Sequence, residues 1–332
     1  MVQATSIPTD VGVPATLQEP LQPPVRAERR PRGTVSPADA PQGGALGQAR
    51  RAAVTLPAPW SATLACVLSV LAHPWRHRVL IRLLTGRELH GRYRGAWFGS
   101  FWAVLTPLLM LAVFTFVFGV VAPTRWPGAQ AEGMGMFALR LLAGMVVHGL
   151  LAETLGRAPS LVTAQPNYVT KVVFPLESLA WVSLLTALFH TAMALVLLVV
   201  LNGLWGTGFA PTQLALPLVL LPFVVLLLGL SWLLAALEVY LRDMTQLVGP
   251  FIMVSMFLGP VFYPRQAMPA AAQPWLALNP ITVPVEQVRR VLFDGHWPQW
   301  EALAQYGAVA VAAYLFGLWV FSTLKKGFAD VL

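Results

Sequence analysis

Charged residues are scarce in this chain. Asp, Glu, Lys and Arg make up only 11% of its 332 residues, whereas soluble globular domains carry roughly 25%. Hydrophobic residues make up 57%. A surface this apolar cannot face water, but it can face lipid if the backbone is helical and hydrogen-bonded within each segment. The composition therefore predicts an all-α integral membrane protein and argues against a soluble domain.

Cysteine and the common catalytic motifs are missing too. Cys66 is the only cysteine, which excludes a disulfide framework or a CxxC site within the chain. No GxxxxGK(S/T) phosphate loop, HExxH or GxSxG motif occurs. His73 and His77 are four residues apart, but Pro74 separates them and no third ligand is evident, so we predict no metal site. We expect a protein that is not an enzyme and that binds no cofactor itself.

The net charge is +8, yet the distribution of that charge does not indicate a nucleic-acid partner. Basic residues fall in the polar N-terminal part and in alternate short loops, which predicts a multi-pass protein with both termini cytoplasmic. Apolar stretches near the ~20 residues that cross a bilayer predict six spans. They lie at about 102–121, 137–156, 177–201, 214–240, 246–263 and 303–323.

The segments before the first span differ in composition. Residues 1–58 are rich in Pro, Ala, Gly and Arg without apolar periodicity, which predicts a disordered tail. Residues 59–332 are predicted to form one transmembrane domain. Within it, residues 75–90 place Trp and Leu near one face of a helix and Arg around the rest. This pattern predicts an amphipathic helix on the cytoplasmic membrane surface.

The loop at 264–302 is moderately apolar and repeatedly broken by proline. It predicts two short helices, near 266–278 and 282–293, and neither is long enough to span a bilayer. Re-entrant helices dipping into the outer leaflet fit this pattern best. In the predicted topology the loop lies outside, although it carries three arginines: Arg265, Arg289 and Arg290.

Three carboxylates lie near the predicted cytoplasmic ends of spans: Glu153, Glu177 and Glu238. We expect them to be interfacial anchors that either snorkel to the membrane surface or pair with nearby basic residues: Arg157, Lys171 or Arg242. His148 and His190 lie deeper. Ionisable residues at membrane depth can also form a proton relay. We favour anchors and contacts between helices, because a proton-driven transporter would more often place an acid at mid-span.

Short motifs occur in a fixed order between residues 75 and 332. They are Gly91-Arg92-Tyr93-Arg94-Gly95, Leu105-Thr106-Pro107-Leu108, 171–175 (KVVFP), 240–246 (YLRDMTQ), 259–264 (GPVFYP), Leu278-Asn279-Pro280 and 326–332 (KGFADVL). In this order and spacing the chain resembles the permeases of type-2 ABC exporters for polysaccharides, such as O-antigen, capsule and teichoic acid chains. Gly259 stands where Ser is common in that family.

The resemblance implies how such a protein is assembled. Two permease copies would form a homodimer around a channel, and two copies of a nucleotide-binding ATPase subunit would dock from the cytoplasm. Those partner subunits would bind ATP and Mg, so this chain needs no cofactor. The substrate would be a lipid-linked glycan that crosses the bacterial inner membrane, in contact with membrane lipids.

The resemblance also implies roles for individual residues. Coupling to the ATPase would involve the loop 157–175 and the turn after span four: Pro166, Asn167, Tyr168, Lys171, Phe174, Arg242 and Asp243. Entry of the lipid headgroup would involve Arg92, Tyr93 and Arg94, although positive-inside topology also explains both arginines. The aromatic translocation path would include Phe114, Phe118, Phe262 and Tyr263. The outer gate in 264–302 would include Asn279, Pro280, Arg289 and Arg290.

Three other functions remain open from the sequence. A related type-2 ABC permease could move a small lipid or a drug, although the gate-like 264–302 loop weighs against it. A secondary transporter or flippase could use an ion gradient, and ATP dependence would separate it from the ABC exporter. A membrane enzyme acting on lipid-linked sugars would need paired acids, for which Glu286 and Asp294 are poor candidates.

Overall fold

The computed structural model describes residues 73–94, 99–117, 120, 134–170, 174–269, 271 and 273–332. The predicted tail 1–58 lies outside these residues. The described part contains α-helices and short 3-10 turns, with no strand. In chain order the helices are α1 (His73–Arg76), α2 (Arg78–Tyr93), α3 (Trp102–Phe116), α4 (Met134–Arg157), α5 (Ser160–Thr163), α6 (Pro166–Thr170), α7 (Glu177–Trp205), α8 (Leu216–Tyr240), α9 (Met244–Leu258), α10 (Gln273–Leu278), α11 (Thr282–Leu292), α12 (Trp300–Leu324) and α13 (Phe328–Val331).

Four of the described helices, α4, α7, α8 and α12, are long and apolar enough to cross a membrane. They confirm the spans predicted at 137–156, 177–201, 214–240 and 303–323. Helices α3 and α9 are apolar but have 15 residues each. Helix α9 stops short of the predicted 246–263 because the backbone becomes extended at Gly259, before Pro260. The predicted span 102–121 runs partly beyond the described residues, so the count of six spans stays a prediction.

Helices α8 and α12 approach each other closely at two glycines, Gly229 and Gly317. A Cβ atom added at Gly317 would lie 2.0 Å from the carbonyl oxygen of Gly229, so neither position has room for a side chain. Trp232 lies beside this contact, fully buried, and its indole Nε1 donates to the Glu177 carbonyl at 3.2 Å. Backbone contact and a satisfied buried indole thus hold three of the long helices together.

The predicted amphipathic helix at 75–90 corresponds to α1 and α2, with a break at His77. Ile81 is buried, whereas Trp75, Val79 and Leu83 are exposed. Exposed apolar side chains among arginines are typical of a helix lying on a membrane surface.

The loop 264–302 does contain two short helices, α10 and α11, of 6 and 11 residues. Val285, Val288 and Leu292 lie on one face of α11 and are fully buried. Both helices are too short to span. Their re-entrant placement stays a prediction, because helix length alone does not locate them in the bilayer.

Candidate functional site

A partly buried ion cluster joins three helices at the predicted cytoplasmic side. Arg92, near the end of α2, forms an ion pair with Glu153 of α4. On the other side of this carboxylate, Nδ1 of His190 in α7 lies 2.9 Å and 3.0 Å from its two oxygens. The side chains of Glu153 and His190 are 17% and 14% exposed, whereas that of Arg92 is 50% exposed. Ionisable groups in such a setting mark functional sites by default in membrane proteins.

Tyr93 completes the cluster. Its ring meets the His190 ring edge-on, with centroids 5.9 Å apart. Burial raises the pKa of Tyr93 above its ordinary value, against the opposing effect of the adjacent Arg92, so the phenol stays neutral and can donate a hydrogen bond. Arg94, the third residue predicted to meet a lipid headgroup, is exposed at the end of α2.

Two cavities adjoin the ion cluster. The first has a volume of about 340 Å³. Arg92, Tyr93, Glu153 and His190 line its polar part, and its apolar walls come from α3, α4 and α7, including Met110, Leu142, Met145 and Val146. The second has a volume of about 720 Å³ and is lined by Glu88, Arg92, Gly149, Ala152, Glu153 and Arg157. An apolar space beside a charged one suits an amphiphilic ligand.

The described residues give the three carboxylates partners other than Arg157 and Arg242, whereas Lys171 lies outside the described residues and stays untested. Arg157 pairs with Glu88 of α2 instead of Glu153. The Glu177 carboxylate lies 2.8 Å from Lys325 Nζ, and that of Glu238 accepts from the amide and hydroxyl of Thr245, both at 3.0 Å. Arg92 and Glu153 are 61 positions apart in the chain, and Glu177 and Lys325 are 148 positions apart. Local spacing could not predict these pairs, because helix packing brings them together. The interpretation of His190 as a contact between helices is confirmed.

The predicted coupling loop folds back on α2. Tyr168 and Phe174 stack with ring centroids 4.4 Å apart and planes 10° from parallel. The Tyr168 hydroxyl accepts a hydrogen bond from Arg87 Nη2 at 3.3 Å. Pro166 and Asn167 at the start of α6 are exposed. Lys171 lies outside the described residues.

The turn between α8 and α9 exposes the two other predicted coupling residues, Arg242 and Asp243. The C-terminal helix α13 contacts α6. Phe328 anchors α13: it is fully buried, and its ring lies 5.7 Å from Phe321 and 6.1 Å from Tyr240. The Phe of the C-terminal motif therefore has a packing role.

The predicted aromatic path is brought together only in part. The rings of Phe114 and Phe262 lie 5.1 Å apart, and Phe257 is 5.6 Å from Phe262. Phe262 is 2% exposed, so within one copy of the chain it belongs to the core. The Tyr263 hydroxyl donates to the Phe257 carbonyl. Phe118 lies outside the described residues.

Arg289, predicted at the outer gate, is 5% exposed and donates to backbone carbonyls of two other segments. Its Nε and Nη2 lie 3.0 Å and 2.9 Å from the Arg140 oxygen in α4, and Nη2 lies 2.7 Å from the Val261 oxygen. Nη1 donates to the Pro260 oxygen. Burial, with Arg140 nearby, lowers the pKa of Arg289 to about 9, which leaves it charged at pH 7. Arg289 therefore ties α11 to α4 and to the end of α9.

The other predicted gate residues make similar structural contacts. Asn279 Nδ2 donates to the Ser255 carbonyl at 2.8 Å, and the Pro280 carbonyl accepts from the Tyr306 hydroxyl at 2.7 Å. Arg290 is half-buried and donates to the Trp297 carbonyl. Within the described part of the chain no group of three or more His, Cys, Asp or Glu could hold a metal ion.

Sequence reasoning noted Arg92, Glu153 and His190 but not that Glu153 pairs with both of the others, and it missed Gly149. An acid in one predicted span and a histidine in the next were the available signal, since charged groups in neighbouring spans tend to pair.

Comparison with known proteins defines the class. The family described as "ABC-2 type transporter" matches residues 79–293, more than half of the chain, so the chain belongs to this family of multi-pass membrane proteins. In that family the ATPase is a separate subunit.

Its relatives include the O-antigen export system permease protein RfbA of Myxococcus xanthus, 27% identical over 258 residues, which are 77% of this chain and 96% of the relative. Two proteins of the same name from Klebsiella pneumoniae are 22% and 21% identical over 254 residues, 76% of this chain and 95% of each relative. The resemblance drawn from the motifs is confirmed.

Proposed function

We propose that this chain is the permease subunit of an ATP-driven exporter that moves lipid-linked polysaccharide, of the O-antigen, capsule or teichoic type, across the bacterial inner membrane. The observation that carries the proposal is an alignment spanning 95–96% of three O-antigen export permeases. The ion cluster with its two cavities supports an amphiphilic substrate.

The proposed assembly is a homodimer with two ATPase subunits that bind ATP and Mg. The short apolar helices α3 and α9 count as spans one and five, giving six spans and cytoplasmic termini. Both helices expose apolar side chains, including Val113, Phe116, Phe251 and Met253, that a second copy or lipid would cover. Aromatic residues around Phe114 and Phe262 would complete the glycan path at that junction.

ATPase docking is assigned to the exposed part of the coupling loop. Pro166 and Asn167 lead α6, and the stacked Tyr168 and Phe174 hold it against the membrane-surface helix α2. Arg242 and Asp243 would add a second contact. The α10–α11 segment would close the outer mouth, with Arg289 as its anchor to the spans.

The test is to reconstitute the permease and its partner ATPase in liposomes whose donor leaflet contains a short lipid-linked glycan. We expect glycan transfer that requires ATP, both subunits and a hydrolysis-competent ATPase. Transport by this chain alone driven by a pH gradient would contradict the proposal. Transfer of the lipid without its glycan at the same rate would instead indicate a small-lipid permease.

A further inference from the structure

The ion pair of Arg92 and Glu153 stands between the two cavities. Arg92, Glu153 and Gly149 line both of them, so these three residues form their common wall. On one side the space is lined mainly by apolar side chains of three helices. On the other side it is lined by two arginines and two glutamates, counting the neighbouring pair of Glu88 and Arg157.

The two members of the central pair differ in how firmly they are held. Glu153 has a second partner, because His190 Nδ1 contacts both of its oxygens. Arg92 is half exposed and near the end of its helix. If Arg92 turned away, Glu153 would keep a hydrogen-bond donor, so the large penalty of an unpaired buried charge would be avoided. The exposed cation is therefore the exchangeable member.

An Arg92 guanidinium released from Glu153 in this way is suited to binding a phosphate group. Its planar fork binds phosphate oxygens in pairs, more favourably than a point charge does. The adjoining apolar cavity of about 340 Å³ is at the small end of ligand sites, and it would hold a short length of hydrocarbon chain. The combination fits a phosphate or diphosphate carried on a lipid.

We infer that the Arg92–Glu153 pair is a latch in a portal for a lipid-linked phosphate, with Gly149 keeping the passage open and His190 holding Glu153 when Arg92 transfers to the ligand. This inference rests on the proposed function, which it deepens by assigning how Arg92 is exchanged between Glu153 and the headgroup. The phosphate competes with the Glu153 carboxylate for the Arg92 guanidinium and displaces it. His190 is a positioning residue.

Gly149 offers a steric test that leaves every charge in place. A Cβ added there meets no atom within 4 Å, so Gly149→Leu should fold and fill the common wall of the cavities. Gly135→Leu is the matched control, since Gly135 also has open space, lies on the same helix and lines neither cavity. Glu177→Gln is the control for charge, because Glu177 is 15% exposed and pairs with Lys325 elsewhere.

The experiment measures binding of polyprenyl diphosphate to the permease–ATPase complex in nanodiscs, with polyprenol and inorganic pyrophosphate as comparison probes. We expect Gly149→Leu and Arg92→Gln to weaken binding at least tenfold. Glu153→Gln should strengthen it about 2–5-fold, since a competing carboxylate is removed while shape is kept. Both control variants should bind as the original protein does, and polyprenol and free pyrophosphate should bind at least tenfold more weakly.

Unchanged binding in Gly149→Leu would overturn the portal. Weakened binding in Glu153→Gln, parallel to Arg92→Gln, would show that the pair is a structural strut. Pyrophosphate binding as tightly as the lipid would also overturn it. Stimulation of ATPase activity by lipid-linked glycan is recorded in parallel: its absence in the original protein would count against the proposed function, whereas the binding pattern alone decides the latch.

Discussion

Two arginines show two ways of placing a guanidinium among membrane helices. Arg92 pairs with a carboxylate, is half exposed and borders two cavities. Arg289 is 5% exposed and donates to main-chain carbonyls of α4 and of the turn after α9. If Arg289 moved away, the main-chain carbonyls of Pro260 and Val261 would lose their side-chain donor. If Arg92 moved away, the Glu153 carboxylate would keep His190 as a partner. The first arrangement is suited to exchange, the second to permanent attachment.

The largest effect is expected from Arg289→Met. The substitution removes the side-chain donor of the Pro260 and Val261 carbonyls in the turn after α9, and each unsatisfied buried carbonyl costs ~1–3 kcal/mol. The Arg140 carbonyl also loses this donor but keeps its place in the hydrogen-bond ladder of α4. We expect a loss of about 2–6 kcal/mol. For a protein of this size that is a fall in Tm of roughly 3–9 °C, measured in detergent. Arg290→Met is the control, because Arg290 is only half-buried. Equal Tm values for both variants would remove the distinction between the two arginines.

A smaller effect is expected from alanine at two glycines of α4. At Gly144 the new Cβ would lie 2.8 Å from Arg289 Nη2 and 3.0 Å from the Val261 backbone, so we expect destabilisation of ~1–3 kcal/mol. At Gly149 it meets nothing within 4 Å, so alanine should be neutral or stabilise the helix by ~0.5–1 kcal/mol. Changes in Tm of opposite sign for the two variants would sharpen the contrast between the closed region at Gly144 and the open region at Gly149. A lower Tm in Gly149→Ala would contradict that contrast.

The smallest effect is expected from Glu88→Gln. Glu88 and Arg157 link α2 to α4 while remaining 26% and 38% exposed, and pairs of this kind contribute below ~1 kcal/mol. Tm should change by no more than about 3 °C. A larger fall in Tm would mean that the ion pairs beside the cavities stabilise the fold. The surroundings of Arg92 would then resemble those of Arg289.

The long helices were predictable because their signal is local. Twenty or more apolar residues predict α4, α7, α8 and α12 whatever surrounds them. The short helices were placed less well: α10 begins at Gln273, later than the predicted 266, and a separate 3-10 turn at Arg265–Ala267 precedes it. The motifs supplied the family, since their order is specific even though each one is weak alone.

Side-chain partners were not predictable to the same degree. Glu153 pairs with residues from α2 and α7, and Arg289 with carbonyls of α4 and the turn after α9. Such contacts depend on helix crossings, which the hydropathy pattern does not encode. Arg289 also shows that a charge in a predicted outer loop can be a core residue when backbone acceptors surround it.

The touching glycines of α8 and α12 have a mechanical consequence. With Gly317 against the Gly229 carbonyl there is no layer of side chains between the two backbones that could deform or slide. We therefore expect the pair to move as one rigid unit. Since α13 follows α12 and contacts α6, we expect a force applied at α6 to tilt the two helices together, without bending either one.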